Sequence, residues 1–159
     1  MDKKINLTLF FILIVLSFSI LAAFYIEFVL EHKPCKLCIY QRIPYFISIL
    51  LLLNILVLKK YKKISILALA VVSFVGFLLS SYHFGVEQGI FSESFFCEVK
   101  NTHENLTKSE ILNQFKNKPI SCKKVDFYIL GLSLASINAI FSFILSVIFI
   151  KIYNNYENN

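Results

Sequence analysis

The chain has 159 residues, 57% of them hydrophobic and only 16% charged, with 17 Phe against 4 Gly and 3 Pro. A water-soluble domain of this length needs far more charge to clothe its surface, so composition points to a protein whose solvent is lipid. The net charge of +6 sits in short lysine clusters, and no long polar tail suggests a second domain.

Four apolar stretches follow one another: Ile5–Phe28, Cys38–Leu58, Ile64–Tyr82 and Phe127–Ile150. Each approaches the ~20 residues that a helix needs to cross ~30 Å of hydrocarbon. Without a closed barrel, only a helix pairs every backbone group there. The expected fold is therefore all-α: an integral membrane protein, residues 1–159 forming one domain built as a four-transmembrane-helix bundle.

The first stretch is preceded by Lys3 and Lys4. It also resembles a cleavable signal peptide, with Ala22–Ala23 near a cleavage point, but its apolar run exceeds the ~7–15 residues of a signal core. The connection 29–37 carries Cys35, and Cys38 stands at the start of the second stretch. Residues 59–63, "KKYKK", hold four lysines, and the fourth stretch ends at Lys151. Positive charge marks the cytoplasmic side. Both termini and loop 59–63 are therefore expected inside, and loops 29–37 and 83–126 outside. The longer outer loop balances six Lys with six acidic residues. Within it "LTKSEILNQF", Leu106–Phe115, has capping-box spacing at Thr107 and Glu110, and predicts a short helix lying on the membrane surface.

All four cysteines, Cys35, Cys38, Cys97 and Cys122, fall on the outer side. Four cysteines permit three pairings, and an oxidising compartment favours two disulfides. A bridge between Cys97 and Cys122 would close a loop of roughly 26 residues and stabilise by about 3.5 kcal/mol in the chain-entropy description. A Cys35–Cys38 bridge closes almost no loop, so a C-x-x-C pair here reads as redox-active rather than structural. A zinc cage of four thiolates is the bland alternative; the wide Cys97–Cys122 separation lacks knuckle spacing, and no metal is expected.

If the second helix began at Ile43 it would be roughly 24 Å long before Lys59; starting near Cys38 gives roughly 31 Å and fits the bilayer. Cys38 would then lie at a helix N-terminus with Arg42 at i+4. Both favour a thiolate there. Pro44 removes the hydrogen bond to the Tyr40 carbonyl and is expected to kink this first turn. Arg42 also reads as an interfacial side chain snorkelling to headgroups. His83 and Glu87 stand four apart directly after the third stretch. Gly76 with Ser80, and Gly131 with Ala135 and Ala139, recur every fourth residue and predict close helix packing. Asn54 and Asn138 read as interhelical hydrogen-bonders.

At "PCKLCIYQRIPY", with "YHFGVEQG", a cysteine in each half of the long loop and "FYILGLSLASINA" opening the last span, the chain closely resembles the DsbB family of bacterial disulfide-bond formation proteins. The likeness covers all four spans and both outer loops. It implies a thiol oxidase of the inner membrane that draws two electrons from a periplasmic, thioredoxin-fold carrier of the DsbA type. They pass to a membrane quinone, ubiquinone or menaquinone. By that likeness Cys97 forms the mixed disulfide with the carrier, Cys122 attacks Cys35, and the released Cys38 engages the quinone. Arg42 matches the family position that supports the quinone, and His83 the histidine near it. The chain departs from many relatives in having no Trp and in carrying Ile137 within "LASINA". Its surroundings are membrane lipid, and no nucleic acid is expected among its partners. Two other readings compete: a non-catalytic four-helix scaffold with two structural disulfides, and an oxidase of the vitamin K epoxide reductase type. The latter places its C-x-x-C late in the chain, whereas here it follows the first span.

Overall fold

The computed structural model describes residues 2–58, 61–92, 122, 128–129 and 131–157. Its elements are α1 (Asp2–Phe28), α2 (Lys36–Tyr40), α3 (Arg42–Leu53) running into a π-helical turn (Asn54–Leu58), α4 (Lys62–Glu87), a two-stranded hairpin β1 (Tyr128–Ile129) and β2 (Leu132–Ser133), and α5 (Leu134–Glu157). Cys97, the expected surface helix Leu106–Phe115 and most of the long loop lie outside the described residues.

Four helical segments are long and apolar enough to cross a membrane: Lys3–Phe28, Lys36–Leu58, Lys62–Glu87 and Leu134–Tyr156. Their outer faces carry large apolar side chains such as Phe11, Phe18, Leu50 and Val57, each more than 60% exposed. In water such a surface would drive aggregation; against lipid tails it is ordinary solvation. The chain is a multi-pass membrane protein, and its described residues are all-α but for one short hairpin.

Helix α4 is the centre of the bundle. Its most extensive pairing is with α5, its next with α3, and α1 packs on α3. Buried Leu9, Ile12 and Leu16 of α1, Leu52 and Ile55, Ile66 and Leu69 of α4, and Leu145 and Phe149 of α5 form the core toward the lysine-rich end. Toward the cysteine end, small residues take over. A Cβ at Gly76 would lie 3.4 Å from Ser142 Oγ of α5 and 3.5 Å from Pro44 Cβ of α3, so this position is where three helices meet, with room for a methyl group and little more. Ser142 and Ser146 of α5 are buried against α4, and Ser146 Oγ donates to the Ala70 carbonyl at 3.4 Å. Ser80 Oγ turns back to the Gly76 carbonyl, 2.8 Å away. Each buried hydroxyl thus finds a partner without demanding space.

Several element boundaries differ from the expected ones, and those nearest the cysteines matter most. The second span starts at Lys36 rather than Cys38, and Cys35 is its N-cap: Cys38 N–H donates to Cys35 Sγ at 3.2 Å. The span is broken at Gln41, between α2 and α3, where the ring of Pro44 cannot donate to the Tyr40 carbonyl. The third helix runs five residues beyond Tyr82, to Glu87, and so carries His83 and Glu87 within its last turns. The fourth begins at Leu134, not Phe127. The residues before it pair as a hairpin, Tyr128 with Ser133 and Ile129 with Leu132, turned by Gly131 at φ 81°. Gly131 is therefore a turn glycine, not the packing residue that its spacing to Ala135 suggested.

Candidate functional site

The motif "YHFGVEQG" closes α4, and its spacing sorts its side chains. Tyr82, His83, Val86 and Glu87 recur at helical intervals and face the cysteine pair; Val86 is fully buried. After Glu87 the chain folds back, with Ile90 and Phe91 N–H donating to the Gly85 carbonyl. The Phe91 ring lies where a Cβ on Gly85 would be, 2.3 Å away, and stacks on Tyr82. Only glycine leaves that space. Gly89 ends the helix at φ 73°, a conformation that favours glycine.

Cys35, Leu37, Val86 and Cys122 form one buried cluster, with Cys38 and Tyr82 packed against it. Three of the four sequence-singled cysteines thus gather in one place, although more than eighty residues separate Cys122 from Cys38. Cys122 is disulfide-bonded, its partner lying outside the described residues. Cys35 and Cys38 are free thiols, not the bridge that an oxidising compartment favoured.

The sulfur that collects donors is Cys35, where the sequence had pointed to Cys38. Placing the helix start at Lys36 turns the Cys38 N–H onto Cys35 Sγ, and His83 Nε2 approaches the same sulfur at 3.5 Å. The Cys38 side chain is the largest cause of a lowered Cys35 pKa. Burial opposes it, the His83 imidazole adds to it, and the net is a thiol pulled from 9.0 to about 5.

Behind His83 runs a one-way chain of hydrogen bonds that sequence reasoning did not assemble. Tyr45 Oη and Ser142 Oγ donate to Asn138 Oδ1. Asn138 Nδ2 donates to Gln41 Oε1 at 2.9 Å. The Gln41 amide NH2 is then left facing His83 Nδ1, also at 2.9 Å. With Nδ1 accepting, the ring proton sits on Nε2 and points at Cys35. Asn138 was read as an interhelical hydrogen-bonder, and it is one. Gln41, adjacent to the expected Arg42, carried no signal of its own, because its partners come from two other helices.

Arg42 is occupied otherwise than expected. Its Nη1 donates to Glu27 Oε2 in a part-buried ion pair, and its guanidinium lies 5.1 Å from the centroid of the Phe24 ring. Glu27 stands in the last turn of α1, where the helix dipole disfavours a carboxylate, and the arginine offsets that. Glu87 reaches back to His83, with Oε1 3.6 Å from Nε2. Its Oε2 is buried with no hydrogen-bond partner.

These groups line a cavity of about 420 Å³ whose walls include Cys35, Cys38, Arg42, His83, Asn138 and Phe141. Ala22, Ala23 and Ile26 of α1 also line it. Its apolar walls with a few convergent polar groups, and its size, lie in the range of small-molecule sites.

The comparisons with known proteins agree with this geometry. The family profile described as "Disulfide bond formation protein DsbB" matches residues 5–152. The chain is also 31% identical over 148 residues to a Rickettsia prowazekii (strain Madrid E) protein named "Uncharacterized protein RP370", covering 91% of this chain and 84% of that one. A match across both outer loops and all four spans, joined to a free C-x-x-C pair at the mouth of the bundle, identifies the chain as a member of the DsbB family, a multi-pass bacterial inner-membrane protein with a role in disulfide formation.

Proposed function

We propose that the chain is a membrane thiol oxidase that reoxidises a periplasmic, DsbA-type dithiol carrier and passes the two electrons to a membrane quinone. The lysines at 3, 4, 62, 63 and 151 face the cytoplasm in this reading, and the cysteines face the periplasm. The observation that carries it is the free Cys35–Cys38 pair, held against His83 in the wall of a cavity among lipid-length helices.

The exchange steps conserve electrons. A carrier thiolate attacks Cys97 of a Cys97–Cys122 disulfide and Cys122 leaves as thiolate. Cys122 attacks Cys35 of the oxidised pair, and Cys38 leaves in turn. The carrier's second thiolate then displaces Cys97, and Cys97 attacks Cys122 and frees Cys35 as thiolate, leaving an oxidised carrier, a restored Cys97–Cys122 disulfide and a reduced Cys35–Cys38 pair. The shared burial of Cys122 and Cys35 supports the second step. A quinone, when bound, takes up two electrons and two protons. Arg42, His83 and Asn138 would hold its oxygens, and Phe141 and α1 its ring. The Nε2 proton of His83 and the Cys38 N–H stabilise negative charge on Cys35 whenever its bond to another sulfur is broken.

The purified protein, supplied with a short-chain quinone, should reoxidise a reduced DsbA-type carrier catalytically. Cys38→Ser should abolish turnover. A variant as active as the parent would overturn the reading.

A further inference from the structure

Thiol exchange uses the two sulfurs but leaves unexplained the carboxylate beside them. Sγ of Cys35, Sγ of Cys38 and a ring nitrogen of His83 all lie within 4.8 Å of one another. Glu87, one turn beyond His83, has a side chain only 6% exposed, lines the same cavity and keeps Oε2 without a partner. A buried carboxylate oxygen that bonds to nothing is costly unless a ligand completes it.

We propose that the dithiol form of this chain binds one zinc-class divalent cation through Cys35 Sγ, Cys38 Sγ and His83 Nε2, with the Glu87 carboxylate as fourth ligand. Two thiolates, an imidazole and a carboxylate form a set that zinc accepts in tetrahedral geometry, whereas calcium and magnesium require oxygen ligands. Zinc–sulfur and zinc–nitrogen bonds at a tetrahedral angle separate the two ligand atoms by about 3.6 Å. Cys35 Sγ and His83 Nε2 already stand 3.5 Å apart.

Binding releases the remaining thiol protons to solvent, and the imidazole keeps its one ring proton by moving it from Nε2 to Nδ1. Gln41, at 2.9 Å, receives it by turning its amide to present Oε1, the outer-shell partner that a zinc-bound histidine ordinarily has; Asn138 turns with it, so that its Oδ1 accepts from Gln41 and its NH2 faces the Tyr45 and Ser142 hydroxyls. A Cys35–Cys38 disulfide has no thiolate to offer, so metal and disulfide exclude each other. The cation holds the chain in its reduced form, whatever its electron acceptor.

The test uses full-length protein with Cys97→Ala and Cys122→Ala, so that only the pair remains, purified in detergent and stripped with chelator. Cobalt(II) is titrated into the phosphine-reduced and the disulfide forms, followed by zinc competition against a chromogenic chelator. The reduced form should take up one equivalent with thiolate-to-cobalt charge-transfer bands and tetrahedral d–d bands, and zinc should displace it. The disulfide form should show neither. Glu87→Gln should weaken zinc about 10–100-fold, the range of a lost supporting ligand, and Cys38→Ser by more. Equal uptake by both redox forms, or uptake that survives Cys38→Ser, means an adventitious ion only and overturns the proposal, as does the absence of binding by the reduced form. The redox comparison needs no substitution within the site, so a misfolded variant cannot decide the outcome.

Discussion

At the scale of single residues, the site is governed by which sulfur the surrounding donors reach. Cys35 is held by the Cys38 side chain first, then by the His83 imidazole and the Cys38 N–H, and against burial its pKa falls from 9.0 to about 5. A depressed acid stabilises the fold fully above its unfolded value and loses that contribution as pH falls through the folded one. The window therefore runs from about pH 9 down to about pH 5. With Cys97 and Cys122 removed and chelator present, ultraviolet thiolate absorbance should persist to about pH 5. His83→Ala should move that midpoint upward, and an unmoved midpoint would deny the imidazole its part. Arg42 makes a second residue-scale prediction through its pairing with Glu27. Arg42→Met and Glu27→Gln should each lower thermal stability, and together by less than their sum. A coupling of about 1 kcal/mol is expected for two groups in direct contact and only part-buried; strict additivity would show the pair to be idle. Much of this site was legible as residue types. The C-x-x-C pair, Arg42, His83 and the His83–Glu87 spacing all stand in the sequence. Which atom faces which did not, because a helix start two residues earlier than expected makes Cys35 the cap and turns the Cys38 N–H onto its sulfur.

At the scale of elements, proline and glycine decide the geometry. Pro44 was readable as a kink, and the break falls at Gln41, three residues earlier, because that is where the lost donor would have closed the turn. The break lets Gln41 point toward His83 and Asn138 while Arg42 turns toward Glu27 on α1. Gly76 was readable as a packing residue, and it meets both Ser142 and Pro44. Since a Cβ there makes only ordinary contact at 3.4 Å, Gly76→Ala should be nearly neutral. Gly76→Leu should cost about 1–3 kcal/mol by overpacking three helices. Thermal unfolding in detergent measures both, and equal midpoints would remove Gly76 from the helix contact. Gly131 shows the limit of reading by spacing: it shares the four-residue interval with Ala135, yet its positive φ makes it a hairpin turn.

At the scale of the whole molecule, orientation in the membrane carries the functional reading. In a cysteine-free background, His32→Cys should react with a membrane-impermeant maleimide added to intact cells, and Lys62→Cys only after the membrane is opened. The reverse pattern would put the dithiol in the cytoplasm and remove any periplasmic carrier. Apolar length, lysine placement and the cysteine motif depend only on composition along the chain. The sequence by itself therefore determined a four-span helical protein with a thiol pair at one mouth. Helix α4 and helix α5, distant in sequence, pack through small residues and so bring His83 and Asn138 to Gln41. That convergence only the tertiary structure decided, because hydrogen-bond direction and burial depend on neighbours whose distance along the chain no local pattern encodes.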